Sequence, residues 1–172
     1  EISTLAIAKN SAGTLVLNDP VSVSSSANLA GGIIYSSTGK EISFADGSTC
    51  EGASDISYID GPVTKVGATF FSFPLGKSGK VAPINIGATG ISTDAFRAEY
   101  FMSAPHSSGY NASLKDLTLH HISYREFWIL NRIAGTSATP VTLSWDTARS
   151  GTVNNLSDLR VARWNGSMWK DE

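Results

Sequence analysis

Leu5-Ala-Ile7, Leu15-Val-Leu17, Val21-Ser-Val23, Ile33-Ile-Tyr35 and Ile42-Ser-Phe44 follow one another along the first part of the chain, and their reading decides the fold. Each run is too short for a helical face and suits a strand, whose side chains alternate between two sides. Between the runs stand Asn10-Ser-Ala-Gly13, Asn18-Asp-Pro20, Gly31-Gly32, Thr38-Gly39 and Asp46-Gly47. Such clusters supply the positive φ, the preset φ and the local side-chain hydrogen bonds that tight connections need. Short strands punctuated in this way either stack as coils of a β-solenoid or pair as a meander. The near-regular spacing favours the solenoid, although the repeats do not align with one another.

From Val63 onward the strands lengthen and carry the aromatic residues. Ala68 to Phe73 ends at Pro74, which has no N–H to give a ladder, and Lys77-Ser-Gly-Lys80 reads as a turn before Val81 to Ile86 returns. Ala95 to Met102 alternates as a strand, and Ser103 to Asn111 is a loop by composition. Leu117, Leu119 and His121 recur with period two, and after a break near Ser123 a second strand follows. Val141-Thr-Leu-Ser-Trp145 alternates as well, which places Trp145 on a buried face. Leu159 to Trp164, then Asn165-Gly166 and Met168-Trp169, predict a hairpin closed by a type I′ turn. Roughly eight strands with short connections make an antiparallel two-sheet sandwich. The expectation is an all-β chain, with a short-stranded, solenoid-like or meander segment at 1–64 abutting a β-sandwich at 65–172. Charge marks the same boundary. Before residue 65 only Lys9 and Lys40 face Glu1, Asp19, Glu41, Asp46, Glu51, Asp55 and Asp60, and the other Lys and Arg residues come later.

The 172 residues suffice for one core or two small adjoining ones. A net charge of -2 offers no basic face to a phosphate backbone, so nucleic acid is not an expected partner. Cys50 is the single cysteine, which excludes an internal disulfide and a cysteine-based structural zinc site. No His lies near it in sequence to lower its pKa, so it reads as an idle thiol. No apolar run approaches the length of a membrane-spanning helix, and no membrane insertion is expected. The opening residues do not read as a signal peptide, and the chain reads as a mature piece or an excised fragment.

Catalytic patterns are not found. The sequence has no Gly-x-Ser-x-Gly elbow, no His-Glu-x-x-His and no dinucleotide-binding glycine run. Gly76-Lys-Ser78 copies the end of a P-loop, but Phe71 stands where the first glycine belongs. His120 and His121 are adjacent on an expected strand, point to opposite faces and do not chelate one metal; His106 stands alone. No catalytic residue and no cofactor is assigned, and the chain is not expected to be an enzyme. Asp46, Glu51, Asp55 and Asp60 are close in sequence. Loop carboxylates of that kind are candidate calcium ligands, with Asp46, Asp55 and Asp60 foremost; the alternative is a solvated acidic face. The same acids define a further reading, a truncated β-helical glycan-cleaving enzyme. Of Trp128, Trp145, Trp164 and Trp169, the last two flank a turn. With Asn165 they are candidates for stacking on a sugar, which makes a carbohydrate-binding module the main rival to a structural role.

Tyr58-Ile-Asp-Gly-Pro-Val-Thr-Lys-Val-Gly67, Phe71-Ser-Phe-Pro-Leu-Gly76, Val81-Ala-Pro-Ile84, Ala98-Glu-Tyr-Phe101, Tyr124-Arg-Glu-Phe-Trp128, Val141-Thr-Leu-Ser-Trp145 and Leu156-Ser-Asp-Leu-Arg-Val-Ala-Arg-Trp164 carry a resemblance. From about residue 29 onward the chain resembles a recurrent all-β module of large secreted and cell-surface Bacteroidetes proteins associated with type IX secretion. The motifs are strand and turn residues and bring no catalytic group with them. Phe127 stands where the module is expected to have Tyr, and the ring is kept. The resemblance implies export across the outer membrane and a spacer or adhesive role in a multidomain surface protein. Its partners are then neighbouring domains of the same parent chain and, in the rival reading, surface glycans. It also makes Asp146-Thr147-Ala148 worth naming as an O-glycosylation acceptor at Thr147. The sorting domain that accompanies such modules is not recognised in these residues.

Overall fold

The computed structural model describes residues 1–9, 13–151 and 153–172. The fold is all-β, as expected, and the chain divides into two compact units. One comprises Glu1–Tyr100 with Trp128–Ser144, the other Phe101–Phe127 with Trp145–Glu172.

The first unit opens as a solenoid. A first rung is formed by β1 (Ile2–Ala8) and β2 (Thr14–Val16), and a second by β3 (Val21–Gly31) and β4 (Ile33–Tyr35). A third holds β5 (Ile42–Phe44), β6 (Thr49–Glu51) and β7 (Ile59–Asp60), and β8 (Val63–Val66) starts a fourth. Every pairing among these strands is parallel. β1, β3, β5 and β8 form one ladder, the second half of β3 pairs with β6, and β2, β4 and β7 form a third face. A meander pairs neighbours antiparallel, so the solenoid alternative is the one realised.

On the first face the register repeats at a fixed spacing. Ile2 lies opposite Val23, Val21 opposite Ile42, and Ile42 opposite Val63, each 21 residues further on. Ser22, Ser43 and Thr64 stand beside one another in the same ladder, while Val23, Phe44 and Lys65 form a column of buried side chains. Gly61 turns the third rung into the fourth. Its φ is +126°, and a Cβ there would lie 2.2 Å from the Ser36 carbonyl oxygen, so only glycine fits.

Parallel stacking stops at β8. Its other neighbour, β13 (Ala95–Phe101), runs antiparallel to it, and β14 (Phe127–Ala134) follows β13 at the sheet edge. The change from parallel to antiparallel pairing falls at β8, beside Lys65, whereas the two compact units part at Tyr100, Phe127 and Ser144. In the antiparallel part β9 (Phe71–Phe73), β12 (Ile84–Ile86) and β15 (Val141–Leu143) form a separate sheet, with Ile84 opposite both Phe73 and Leu143. The hairpin of β10 (Gly76–Lys77) and β11 (Lys80–Val81) turns through Ser78 at φ 53° and Gly79 at φ 76°. Two consecutive positive φ values are what a tight hairpin turn of matching twist requires, so Gly76-Lys-Ser78 is a hairpin strand running into its turn here. The Gly79 amide donates to the Tyr58 hydroxyl at 2.8 Å.

Aromatic contacts fill the space between these sheets. Phe44 and Phe71 have centroids 4.8 Å apart, Phe71 and Phe73 meet edge to face at 5.1 Å, and Tyr100 packs on Trp128 at 5.2 Å. The Trp128 indole N–H donates to the Ala82 carbonyl at 2.9 Å, so its polar tip is satisfied inside an apolar contact.

The sandwich expected to run to the C-terminus ends at Leu143. Because β15 stops there, the alternation does not extend to Trp145, which is 37% exposed instead of buried. Thr147–Ser150 form a short helix, α1, whose N-cap Asp146 accepts a hydrogen bond from the Ala148 amide. The strand expected at Leu117 to His121 is a turn and extended coil: Leu117 is fully exposed, while Leu119 and Ile122 are buried. Among the described residues the second unit has one hairpin, β16 (Ala162–Trp164) with β17 (Trp169–Asp171), and Trp164 lies opposite Trp169. Its loop has four residues and is not a two-residue type I′ turn. Only Gly166 takes a positive φ there, and Asn165 Oδ1 instead accepts from the Ser167 amide, the Ser167 hydroxyl and the Met168 amide. An Asx turn of this kind uses the asparagine side chain in place of a backbone acceptor.

Candidate functional surfaces

The acidic residues that are neighbours in sequence are separated by the solenoid, because a coil sends successive residues around different faces. Asp46 Oδ1 accepts from the Ala68 amide at 2.8 Å. Asp55 accepts from the Val81 amide at 2.9 Å and pairs with Lys80 Nζ at 2.7 Å. Asp60 pairs with Lys77, and Glu51 is exposed on β6. Each of Asp46, Asp55 and Asp60 thus ties a rung corner to the chain that follows β8. Among the described residues no group of three His, Cys, Asp or Glu side chains converges as metal ligands would.

The aromatic candidates also have a structural setting. Trp169 is buried and Trp164 half-buried; their rings are 5.7 Å apart at an interplanar angle of 67°. Tyr110 meets Trp164 edge to face at 5.9 Å, Trp169 at 6.3 Å and Phe127 at 5.8 Å. Together with Ala112, Leu119, Ile122 and Ala162 they form the small core of the second unit. Rings that meet edge to face do not present the flat strip on which a pyranose stacks. Exposed Asn165 has its Oδ1 occupied by the turn. Thr147 is exposed in the first turn of α1, accessible as a modification acceptor would be. His106, His120 and His121 are all exposed, and the last two do not lie on a strand.

Two buried cationic arrangements were not legible beforehand. Lys65 has no exposed surface; its Nζ donates to the Ala45 carbonyl at 2.5 Å and lies 5.2 Å from the centre of the Phe71 ring. Burial holds its pKa below the ordinary value, opposed by the attraction of Asp46. In the second unit Arg149, buried at the end of α1, pairs with buried Glu126. Cys50, on β6, is partly covered, and burial with nearby Glu51 pushes its thiol up to about 12. At neutral pH it is an un-ionised, poorly nucleophilic thiol, in accord with the idle reading.

A further polar cluster lies where β13 and β14 run side by side. Arg97, Ala98, Glu99, Ile129 and Asn131 line a depression of about 190 Å³. Arg97 Nε stands 3.0 Å from Glu41 Oε2, and its guanidinium also donates to the Thr38 hydroxyl at 2.7 Å. Burial raises the Glu99 pKa from its ordinary value, opposed by the nearby charges of Lys77 and Arg97. The alternation of Ala95–Phe101 puts Arg97 and Glu99 on one face. Glu41 and Asp60 reach the same neighbourhood from rung corners far off in sequence. The volume is below the roughly 300 Å³ at which small-molecule sites begin, and the guanidinium is already engaged.

A parallel β-solenoid that continues into antiparallel strands after β8 defines the class of fold of the first unit, and Asp46, Asp55 and Asp60 are engaged in holding its rungs and turns together. No family model, curated protein or solved structure matches the chain. Among the described residues no helix is long and apolar enough to cross a membrane.

Proposed function

We propose that the chain is a non-enzymatic structural or adhesive segment of a secreted or cell-surface bacterial protein, a rigid extracellular unit that spaces or displays its neighbouring domains. The observation that carries this reading is the stack of parallel rungs with a continuous buried column through Val23, Phe44 and Lys65. Stacked rungs transmit load through many short backbone ladders in series, which gives stiffness along the stack without a ligand or a moving part. The engagement of Asp46, Asp55 and Asp60 in rung-to-cap links supports the same reading over a glycan-cleaving cleft. The edge-to-face packing of Trp164 and Trp169 supports it over a sugar platform. The resemblance to modules of exported Bacteroidetes proteins agrees in compartment and role.

Acrylamide quenching of tryptophan fluorescence, repeated with soluble polysaccharides and with calcium, tests it. The expected result is a shielded fraction that no addition alters. A polysaccharide that protects an otherwise quenchable tryptophan would overturn the spacer reading in favour of a binding module.

A further inference from the structure

The first rung is built like the others but is covered on one side only. Ile2, Leu5 and Ile7 lie opposite Val23, Ala27 and Leu29, so they belong to the same inward-facing columns. The inner three are 0%, 3% and 0% exposed, whereas Ile2 is 38% exposed and Leu5 and Ile7 are only half-buried. Leu15, opposite fully buried Ile34, is half-buried in the same way on the β2–β4–β7 face. The backbone is open as well. β1 and β2 are edge strands of their sheets, and in a strand every second residue turns its N–H and C=O away from the single partner.

Exposed edges ordinarily carry a charge, a proline or a bulge that turns them aside. Ile2-Ser-Thr-Leu-Ala-Ile-Ala8 has neither charge nor proline over seven residues, and its irregular register lies only between Ile2 and Thr4 and between Ile7 and Ala8. At the opposite end of the same ladder, β8 is covered by antiparallel β13.

We infer that the open face of β1 and β2 is the docking surface for one further parallel rung of the same coil, supplied by the parent polypeptide. Its apolar side chains would seat over Ile2, Leu5, Ile7 and Leu15. The occupant follows from continuity with the rung-to-rung interface already present, since a parallel strand 21 residues earlier in register continues both the backbone ladder and the buried column. A second copy related by a two-fold axis would bring β1 against β1 antiparallel, and would not continue the coil. The inference rests on the structural reading above.

The experiment is a fusion in which a second copy of residues 21–43 is placed directly ahead of Ile2. The copy's Val23 then falls 21 residues before Ile2. Hydrogen exchange, thermal unfolding and size-exclusion chromatography are compared with the unfused chain and with a fusion carrying the same residues scrambled. The expected result is a monomer of higher Tm in which the outward amides of Ile2–Ala8 exchange about tenfold more slowly or less, with no such gain in the scrambled fusion. Free exchange throughout the added segment, with β1 unchanged, overturns the inference and leaves the polysaccharide test of the spacer reading untouched. Concentration-dependent dimerisation of the unfused chain that protects the same amides overturns it in favour of a second copy.

Discussion

Residues 2–66 set Val23, Phe44 and Lys65 in one column at a constant spacing, whereas the second unit collects Tyr110, Leu119, Ile122, Trp164 and Trp169 at no spacing at all. Both regions draw on a sequence rich in serine and threonine. In the rungs the inner strands β3, β4 and β5 gain a backbone neighbour on both sides, so burial comes from repetition and no single strand has to be long. Among the described residues of the second unit the backbone pairs in one hairpin and an isolated Lys115–Trp169 bridge, and large rings with a buried ion pair carry the packing. The rungs are therefore most sensitive to loss of a column residue, and the second unit to loss of a clasp.

The largest effect is expected at Phe44. It has no exposed surface and packs at 4.8 Å on Phe71. Phe44→Ala removes a ring from the middle of the column and should cost about 3–5 kcal/mol in urea unfolding. A cost below about 1 kcal/mol would mean that the rungs do not share a packed interior. Next comes Glu126→Ala, which leaves the buried Arg149 guanidinium without its carboxylate. Removing one partner of a buried pair is expected to cost about 3 kcal/mol. Faster hydrogen exchange at Ala148–Ser150 is the sign to look for, because Arg149 lies in α1. Unchanged exchange there would make the pair a bystander and the aromatic core the sole support of the unit.

The same contrast explains what was legible in the sequence. Val21-Ser, Ile42-Ser and Val63-Thr recur at the register spacing, an apolar residue followed by a hydroxyl, and that pattern is readable once a parallel coil is considered. Alternation also located Ala95–Phe101 and Val141–Leu143, because a strand with one covered face writes its period into the chain. Where packing is not periodic, the period misleads. Leu117, Leu119 and His121 alternate, yet only Leu119 turns inward, drawn from coil into contact with the Trp169 cluster. Trp145 lies beyond the strand that would have buried it. Asn165-Gly166 signalled a hairpin correctly, but the turn type was set by the Asn165 side chain. The acids of residues 46–60 looked like a cluster only because they are close in sequence. A coil disperses such neighbours around its faces and brings together residues a rung apart, as Asp46 with Ala68.

A smaller effect separates the inner from the outer rung. Val23→Ala removes buried methyl groups and should cost about 2 kcal/mol, whereas Ile2→Ala, in the same column but 38% exposed, should cost about 0.5 kcal/mol. Thermal and urea unfolding of the pair check the difference. Repeating Ile2→Ala in the fusion with an added rung should raise its cost toward that of Val23→Ala. Equal costs in the unfused chain would show the outer rung to be covered already.

The smallest change at neutral pH is expected at the end of the column, where Lys65 stands in place of an apolar residue. Burial lowers its folded-state pKa below the usual 10.5 that the unfolded chain retains. Between the lowered value and 10.5 the unfolded state binds more protons, so the wild type gains stability as pH rises through that window. Below the window the full cost of burying the ammonium is present, offset by the Ala45 carbonyl, the Phe71 ring and Asp46. Lys65→Met keeps the length of the side chain and removes the proton. It should lie within about 1 kcal/mol of the wild type at pH 7, on the stabilising side. The comparison is urea unfolding of the two chains from pH 7 to 11. Other groups, Tyr58 among them, titrate alike in both, so the difference between the curves isolates Lys65. The variant's advantage should shrink as pH climbs, because deprotonation relieves the wild type of the cost that the methionine never had. A difference that stays constant with pH would mean that Lys65 is held by its contacts in the same protonation state folded and unfolded, and the column would then end in a lysine that costs the fold nothing.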